Sequence, residues 1–234
     1  MDDSCFSMEC FVILLLTVNY RMKRMRYWFI TCLLSFMAVC VSAQQSVGEA
    51  ESRKMVAEVC AAAAEMSSLQ CDFVQVKQLS LLQTALTSKG RMYYKGGDRL
   101  RWEYTSPYTY TFVLNKDRVM MKSAEKTDIV SVRSSRMFQQ IARIMLNSVT
   151  GRCLADDGDF EVTMYGGKAE WEARLVPRQK ELAALFSEVR LHIDPKLRMV
   201  TVVELKEKSG DNTRIEMKNV RKNETIGDAV FTVQ

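Results

Sequence analysis

The side chains able to perform chemistry are few, and they form no catalytic pattern. The sequence contains one histidine, His192, whose alternation with Leu191 and Ile193 places it on the polar, solvent-facing side of a predicted strand. Serine and cysteine nucleophiles need a base beside them, and His192 is the only imidazole. The sequence has no glycine-rich phosphate loop, HExxH pair or EF-hand loop. We therefore predict that the protein is not an enzyme; a hydrolase with His192 buried beside a distant serine is a minor alternative.

The cysteines predict neither a disulfide framework nor a metal site. After residue 43 the chain keeps Cys60, Cys71 and Cys153, an odd and widely spaced set without a CxxC pair. Cys60 and Cys71 could pair across a helix–strand contact, but small buried apolar side chains are the preferred interpretation. No metal and no cofactor are expected.

The charge of the chain does not favour a nucleic-acid partner. The formal net charge is +5 at pH 7, a modest excess for 234 residues. The basic residues are spread through the predicted strands and form no stripe, which is typical of a solvated surface. We expect no nucleic acid among the partners.

The most informative chemistry is that of a binding surface. Between residues 90 and 117 three runs alternate strictly between large apolar and polar side chains, which predicts an antiparallel meander with one aromatic face. This face is either a sandwich core or the concave wall of a cavity for an apolar ligand. The density of rings and the tyrosine hydroxyls favour the cavity. Its predicted residues in the meander are Met92, Tyr94, Leu100, Trp102, Tyr104, Tyr110 and Phe112.

Two helices and about ten or eleven strands must position this surface. Residues 49–67 have apolar side chains at helical spacing, and period-two alternation begins at residue 69. A second helix is predicted from Ser134 or Ser135 to about residue 149, closed by Gly151. The remaining strands follow in sequential hairpins, so the antiparallel sheet is large enough to curl, and the helices could cap its open side.

Residues 1–43 are predicted to be an N-terminal extension followed by a signal peptide. A basic cluster at residues 21–26 precedes an apolar run and a small-residue cleavage site, which predicts cleavage after Ala43. Residues 1–21 lie upstream of this pattern, so Met22 or Met25 is the expected true start. The mature part, residues 44–234, has 191 residues (234 − 43) and fits a single domain.

The order of short motifs along the mature part carries a family resemblance. An amphipathic helix precedes SSLQCDFVQ at residues 67–75; Gly90 and a Tyr-Tyr-Lys follow, then LRWEYTSP at 100–107 and DAVF at 228–231. This order resembles the LolA family of periplasmic outer-membrane lipoprotein carriers. The resemblance implies an α+β fold that is mainly antiparallel β, an unclosed (half) β-barrel with a helical lid over a hydrophobic cavity.

The resemblance also implies a function. Phe73 and Trp102 match residues of the family's cavity, and the second predicted helix matches a lid. The implied protein is a periplasmic monomer that holds the acyl chains of lipoproteins, receives them from an inner-membrane lipoprotein-releasing ABC transporter and delivers them to an outer-membrane acceptor. The implied lid residues are Met137, Phe138, Ile141, Ile144 and Met145.

One departure from the family keeps two other functions open. Gly96 stands where well-studied carriers have an arginine that ties down the lid, and Arg99 or Arg101 could replace it. The cargo could therefore be another lipid or acyl-linked molecule. A lipid or lipoprotein sensor on the same fold is the third possibility.

Overall fold

The protein folds around one large antiparallel sheet. The structure, a computed structural model, describes residues 46–233 except 83, 97, 132–145, 148–149, 152–153, 155–157 and 168. Helix α1 is Glu49–Ala64 and helix α2 is Lys180–Leu185, and a 3-10 helix, Asp228–Phe231, lies near the C-terminus. The strands are β1 (Ser68–Leu79), β2 (Thr84–Lys95), β3 (Arg99–Ser106), β4 (Tyr110–Asn115), β5 (Arg118–Ser123), β6 (Thr127–Ser131), β7 (Phe160–Tyr165), β8 (Trp171–Pro177), β9 (Phe186–Asp194), β10 (Met199–Glu207) and β11 (Asn212–Lys222).

The sheet consists of two meanders joined at one place. The strand order is β6-β5-β4-β3-β2-β1-β11-β10-β9-β8-β7, and every neighbouring pair is antiparallel. Strands β6 and β7 are the two edges and do not pair with each other within the described residues. The predicted fold class, a mainly antiparallel unclosed barrel, is therefore confirmed.

The two faces of the sheet carry separate apolar clusters, because side chains alternate along each strand. We call the face with the larger cluster the inner face. On this face Phe73 of β1, Leu191 of β9 and Met217 of β11 belong to one continuous core. Helix α1 lies on this face with Met55 and Val59 buried against the strands.

Helix α1 covers one end of the inner face. It begins beside Tyr165, the last residue of β7, and stops shortly before Ser68, the first residue of β1. We call this the helix end, and the opposite end, where residues 80–83 connect β1 to β2, the hairpin end. The predicted helical lid is supported only in part, since most of the second predicted helix lies outside the described residues.

The C-terminal segment packs on the outer face. Phe231 is fully buried there against Val113 and Met120. Asp228 accepts hydrogen bonds from Lys95 Nζ at 2.5 Å and Arg99 Nη1 at 2.8 Å. Arg99 therefore helps to hold the C-terminal segment against the sheet through its ion pair with Asp228.

Arg101 lies on the same outer face and reaches the carbonyl oxygen of Val230. The sequence had left Arg99 and Arg101 as candidates to hold a lid. Both arginines have outward parity on β3, so neither faces α1 or the inner cluster.

A glycine near the centre of the sheet permits a phenyl ring to pack directly on the backbone. Gly90 of β2 stands directly opposite Phe73 of β1, and a register shift between Lys89 and Gly90 places it beside Tyr104 of β3. A Cβ on residue 90 would lie 2.5 Å from Phe73 Cζ and closer still to the carbonyl oxygen of Glu103. The phenyl ring therefore occupies the space that any side chain at residue 90 would need.

Gly90→Ala should destabilise the protein strongly. The added methyl group meets a backbone carbonyl as well as a ring, so the strands must separate, and we expect a loss of at least about 2 kcal/mol in the free energy of unfolding. Urea denaturation followed by far-UV circular dichroism measures it. Gly227→Ala is the matched control, because nothing lies within 4 Å of its Cβ position. Equal denaturation midpoints for the two variants would contradict this packing.

A buried carboxylate on the outer face is held by three basic side chains. Glu188 lies among Arg174, Arg190 and Lys206, and its side chain is only 7% exposed. Burial is the largest single effect and raises the pKa of Glu188. Hydrogen bonds from the three cations together outweigh it and lower the pKa to about 2, from an ordinary value of 4.5.

The Glu188 network should make the protein sensitive to acid. Since the pKa of Glu188 is lower in the folded protein, its contribution is present above pH 4.5 and is lost as the pH falls toward 2. The free energy of unfolding, measured by urea denaturation at several pH values, should therefore fall less steeply between pH 4.5 and 2 in Glu188→Gln than in the wild type. Glu161→Gln, at an exposed outer-face glutamate, leaves the network intact and should keep the wild-type slope. A wild-type slope in Glu188→Gln would show that the network does not titrate.

Candidate functional site

The predicted cavity residues come together on the inner face. Met92 pairs with Trp102 across β2 and β3, and Trp102 pairs with Phe112 across β3 and β4. Strict alternation within each strand sends these side chains to one side. The residues assembled in or against the inner cluster are Phe73, Met92, Tyr94, Leu100, Trp102, Tyr104, Tyr110 and Phe112.

Exposure differs between the two ends of this surface. Toward the helix end, Met92, Tyr94 and Leu100 are at most 2% exposed. Toward the hairpin end, Tyr104 and Tyr110 are only partly buried and pack against the cluster from its border. The inner face is therefore closed at the helix end and more accessible toward the hairpin end.

Aromatic rings form the centre of the surface. The Phe73 ring lies 4.4 Å from the Trp102 ring, centroid to centroid, and meets the Tyr104 ring edge-on at 5.2 Å. Tyr104 in turn contacts Tyr110 at 6.3 Å and Tyr108 at 5.6 Å. Tyr108 precedes β4, which begins at Tyr110, and its side chain is more than half exposed.

A few polar groups interrupt the apolar surface. The Tyr104 hydroxyl donates to Gln75 Oε1 at 2.9 Å, and buried Ser88 stands opposite Gln75 on β2. Burial raises the pKa of the Tyr104 hydroxyl, so it stays protonated. The indole Nε1 of Trp102 is buried beside the Tyr104 hydroxyl.

The cysteines near this surface are inert. Cys60 and Cys71 are both free thiols, so the possible pairing between them is not present. Burial, reinforced by the neighbouring Asp72 carboxylate, raises the pKa of Cys71 to about 12. A thiol with so high a pKa is a poor nucleophile, which agrees with the expected role of Cys71 as a small buried side chain.

The second meander contributes a part of the surface that the sequence had not assigned. Ile215 and Met217 of β11 stand opposite Gln75 and Phe73 of β1, so they share the inner face. Ile215 is half-buried, as is Leu205 of β10. Their alternation was visible in the sequence, but nothing local indicated that β11 pairs with β1.

The predicted lid residues cannot be placed on this surface. Met137, Phe138, Ile141, Ile144 and Met145 lie outside the described residues. Leu146, the described residue that follows them, packs against the inner cluster.

The single histidine lies on the outer face, as its alternation predicts, but it is not free in solvent. His192 Nδ1 is 3.1 Å from Glu170 Oε2, and Nε2 is 3.6 Å from Glu204 Oε1. Its side chain is 14% exposed, because these two carboxylates flank the ring. Both ring nitrogens face carboxylates, which does not fit a base that activates a serine.

Over the described ranges the structure shows neither a cluster of metal-ligating side chains nor a helix that could span a membrane. No group of three or more histidine, cysteine, aspartate or glutamate side chains there could hold a metal ion. None of the helices described between residues 46 and 233 is long and apolar enough to cross a membrane.

Sequence comparison identifies relatives of the chain. The sequence model of the family described as "Outer membrane lipoprotein carrier protein LolA" matches residues 64–234. An outer-membrane lipoprotein carrier protein from Methylococcus capsulatus (strain ATCC 33009 / NCIMB 11132 / Bath) is 26% identical over 165 residues, which cover 70% of this chain and 76% of that protein.

Solved structures resemble this chain at low sequence identity. MucB is 12% identical and superposes with a TM-score of 0.50 over 80% of this chain and 64% of its own. A LolA superfamily protein from Nitrosomonas europaea is 10% identical, with a TM-score of 0.42 over 78% of this chain and 97% of its own. Because the family model covers well over half of the sequence, this chain belongs to the LolA family of outer membrane lipoprotein carrier proteins, which are carriers and not enzymes.

Proposed function

We propose that the protein carries the acyl chains of lipoproteins on its inner face and shuttles them from the inner to the outer membrane. The observation that carries the proposal is the continuous apolar surface of an unclosed sheet, buried at the helix end and partly exposed at the hairpin end. Ligand sites of this kind are mostly apolar with a few polar groups. The eight assembled residues of β1–β4 form one wall of the proposed cavity, and Ile215 and Leu205 form the other.

The physics of acyl chains suits such a carrier. Each methylene group removed from water contributes about 0.8 kcal/mol, so even partial burial of a few chains gives firm binding. Release of the cargo requires that the free energy of acyl binding be offset by a contact that forms when the cargo leaves. A lid that packs on the empty inner face would compete with the cargo and weaken its net affinity. We propose the segment with Met137, Phe138, Ile141, Ile144 and Met145 as that lid.

Export and partners belong to the same proposal. The basic, apolar and small-residue pattern before Gln44 supports a signal peptide cleaved after Ala43 and a periplasmic location. An inner-membrane lipoprotein-releasing ABC transporter would supply the cargo, and an outer-membrane acceptor would receive it.

A carrier of another acyl lipid is the second candidate. It is favoured by Gly96, which stands at the family's lid arginine, and by the engagement of Arg99 and Arg101 with the C-terminal segment. A lid held by different contacts could select a different cargo.

Native mass spectrometry of the gently purified, exported protein tests the proposal. We expect a bound mass that organic solvent releases, and its identity separates a lipoprotein from a free lipid. A protein that is always empty and takes up no added acyl probe would refute the carrier.

A charge placed on the inner face should weaken acyl binding without unfolding the sheet. Ile215 is half-buried, so Ile215→Glu can fold with its carboxylate toward solvent, but an acyl chain would have to desolvate that charge. We expect affinity for a fluorescent fatty-acid probe to fall at least about tenfold.

Val176→Glu is the matched control for the Ile215 experiment. Val176 is an exposed aliphatic residue with outward parity on β8, so the same substitution there should leave probe affinity unchanged. Equal affinities for wild type and Ile215→Glu would place the acyl site elsewhere.

A further inference from the structure

One stretch of β2 lacks a neighbouring strand on one side. Strand β2 begins at Thr84, but its pairing with β3 begins only at Lys89. Residues 84–88 pair with β1 on one side, and no strand in the described part of the chain pairs with them on the other. We call this segment the free edge. It arises because β3 ends at Ser106, and Pro107, which follows, has no amide hydrogen to continue a ladder.

The backbone of the free edge directs two residues away from β1. The N–H of Gly96, just after β2, donates toward the start of β1, whereas the carbonyl oxygen of Lys89 accepts a hydrogen bond from Thr105 on the β3 side. These directions alternate along a strand, and the β1–β2 register is continuous throughout β2. Odd-numbered residues of β2 therefore direct their N–H and C=O groups away from β1. In the free edge these residues are Ala85 and Thr87.

The free edge lacks the protection that the two outer edges of the sheet have. Strand β6 carries Asp128 and β7 carries Glu161, and charges on an edge discourage the addition of another strand. The free edge reads Thr-Ala-Leu-Thr-Ser, without a charge or a proline, and its threonines favour extended backbone. Residues 84–87 are all exposed. An edge of this composition is suited to a partner that adds a strand to it.

The free edge adjoins the proposed acyl site. Leu86 and Ser88 stand opposite Lys77 and Gln75 of β1, so their side chains have inner parity. Leu86 is 52% exposed, and it extends the inner face beyond Tyr104 toward the hairpin end. Because the inner face is closed at the helix end, an acyl chain that enters it leaves its attached group near the free edge.

We propose that the free edge binds the polypeptide segment that follows the lipidated N-terminal residue of a lipoprotein, as an added antiparallel strand. This inference rests on the proposed function and adds a second binding site for the same cargo. Main-chain hydrogen bonds do not depend on side-chain identity, so the free edge would accept cargoes of different sequence.

The direction of the added strand follows from the position of the acyl chain. The lipid holds the N-terminus of the segment near Ser88, and the segment leaves the site toward the hairpin end. Strand β2 runs from the hairpin end toward the helix end, so the segment lies antiparallel to it and continues the direction of β3. The free edge is about 17 Å long at roughly 3.4 Å per residue.

Lipopeptides with modified backbones test the proposal. The parent ligand is an N-lauroyl hexapeptide amide of threonine and valine, which displaces a fluorescent apolar probe from the purified, exported protein. Two further versions are methylated at alternate peptide nitrogens, one at the odd set and one at the even set. Only one set faces β2 in an added strand. We expect that set to weaken binding about tenfold and the other set to leave affinity nearly unchanged.

Hydrogen exchange on the wild type locates the contact without any variant. The amides of Ala85 and Thr87 should exchange rapidly in the ligand-free protein and slow at least about tenfold with the lauroyl hexapeptide, but not with laurate alone. The amide of Leu86 is the internal control, because it faces β1 and should be protected in every state.

Thr87→Pro removes a donor that faces the free edge and none that faces β1. It should weaken binding of the lauroyl hexapeptide about tenfold and leave laurate binding unchanged. Thr87→Val is the matched control, because it keeps the amide hydrogen and the preference for extended backbone.

Three results would overturn the proposal. Equal affinities for all three lipopeptides would exclude an added strand while leaving the acyl carrier standing. Protection of Ala85 and Thr87 in the ligand-free protein would show that a second copy or another part of this chain already covers the free edge. If the wild type binds neither laurate nor any lipopeptide, the proposed function itself fails, and the inference fails with it.

Discussion

The contact between a phenyl ring and a bare backbone at the centre of the sheet constrains everything around it. Phe73 lies over Gly90, where no side chain fits, and the register shift between Lys89 and Gly90 pairs Gly90 with Tyr104 of β3. From this position Phe73 contacts the rings of both Trp102 and Tyr104. The aromatic centre of the inner face therefore depends on one residue that has no side chain.

The outer face is held by charged and C-terminal contacts, whereas the inner face carries the proposed acyl site. On the outer face, the C-terminal segment is anchored through Phe231, Asp228 and Arg99, and Glu188 is neutralised by three cations. These contacts hold the strands from outside. The inner face can then leave apolar side chains partly exposed near the hairpin end, which a protein with a single closed core could not do without loss of stability.

Local alternation predicts much of this fold, and long-range pairing accounts for what it misses. The run from Leu100 to Tyr104 has the period of a strand, and the buried residues of α1 recur at helical spacing, so both elements could be predicted from sequence. The role of Arg99 could not be predicted from sequence, because its partner Asp228 lies in a C-terminal segment that packs on the outer face. Ile215 was missed for the same reason: its place on the inner face follows from the β1–β11 register, which no local pattern encodes.

The pairing of the first strand with the last also determines when the protein can fold. Phe73 of β1 pairs with Met217 of β11, 144 positions later (217 − 73), and among the described strands no other pair joins the two meanders. At a synthesis rate of about 5–20 residues per second, the partner of β1 emerges about 7–30 s after it. During that interval the apolar side of β1–β6 lacks half of its core, so this topology favours slow, late folding and a chain that must be shielded from aggregation until its last strand is available.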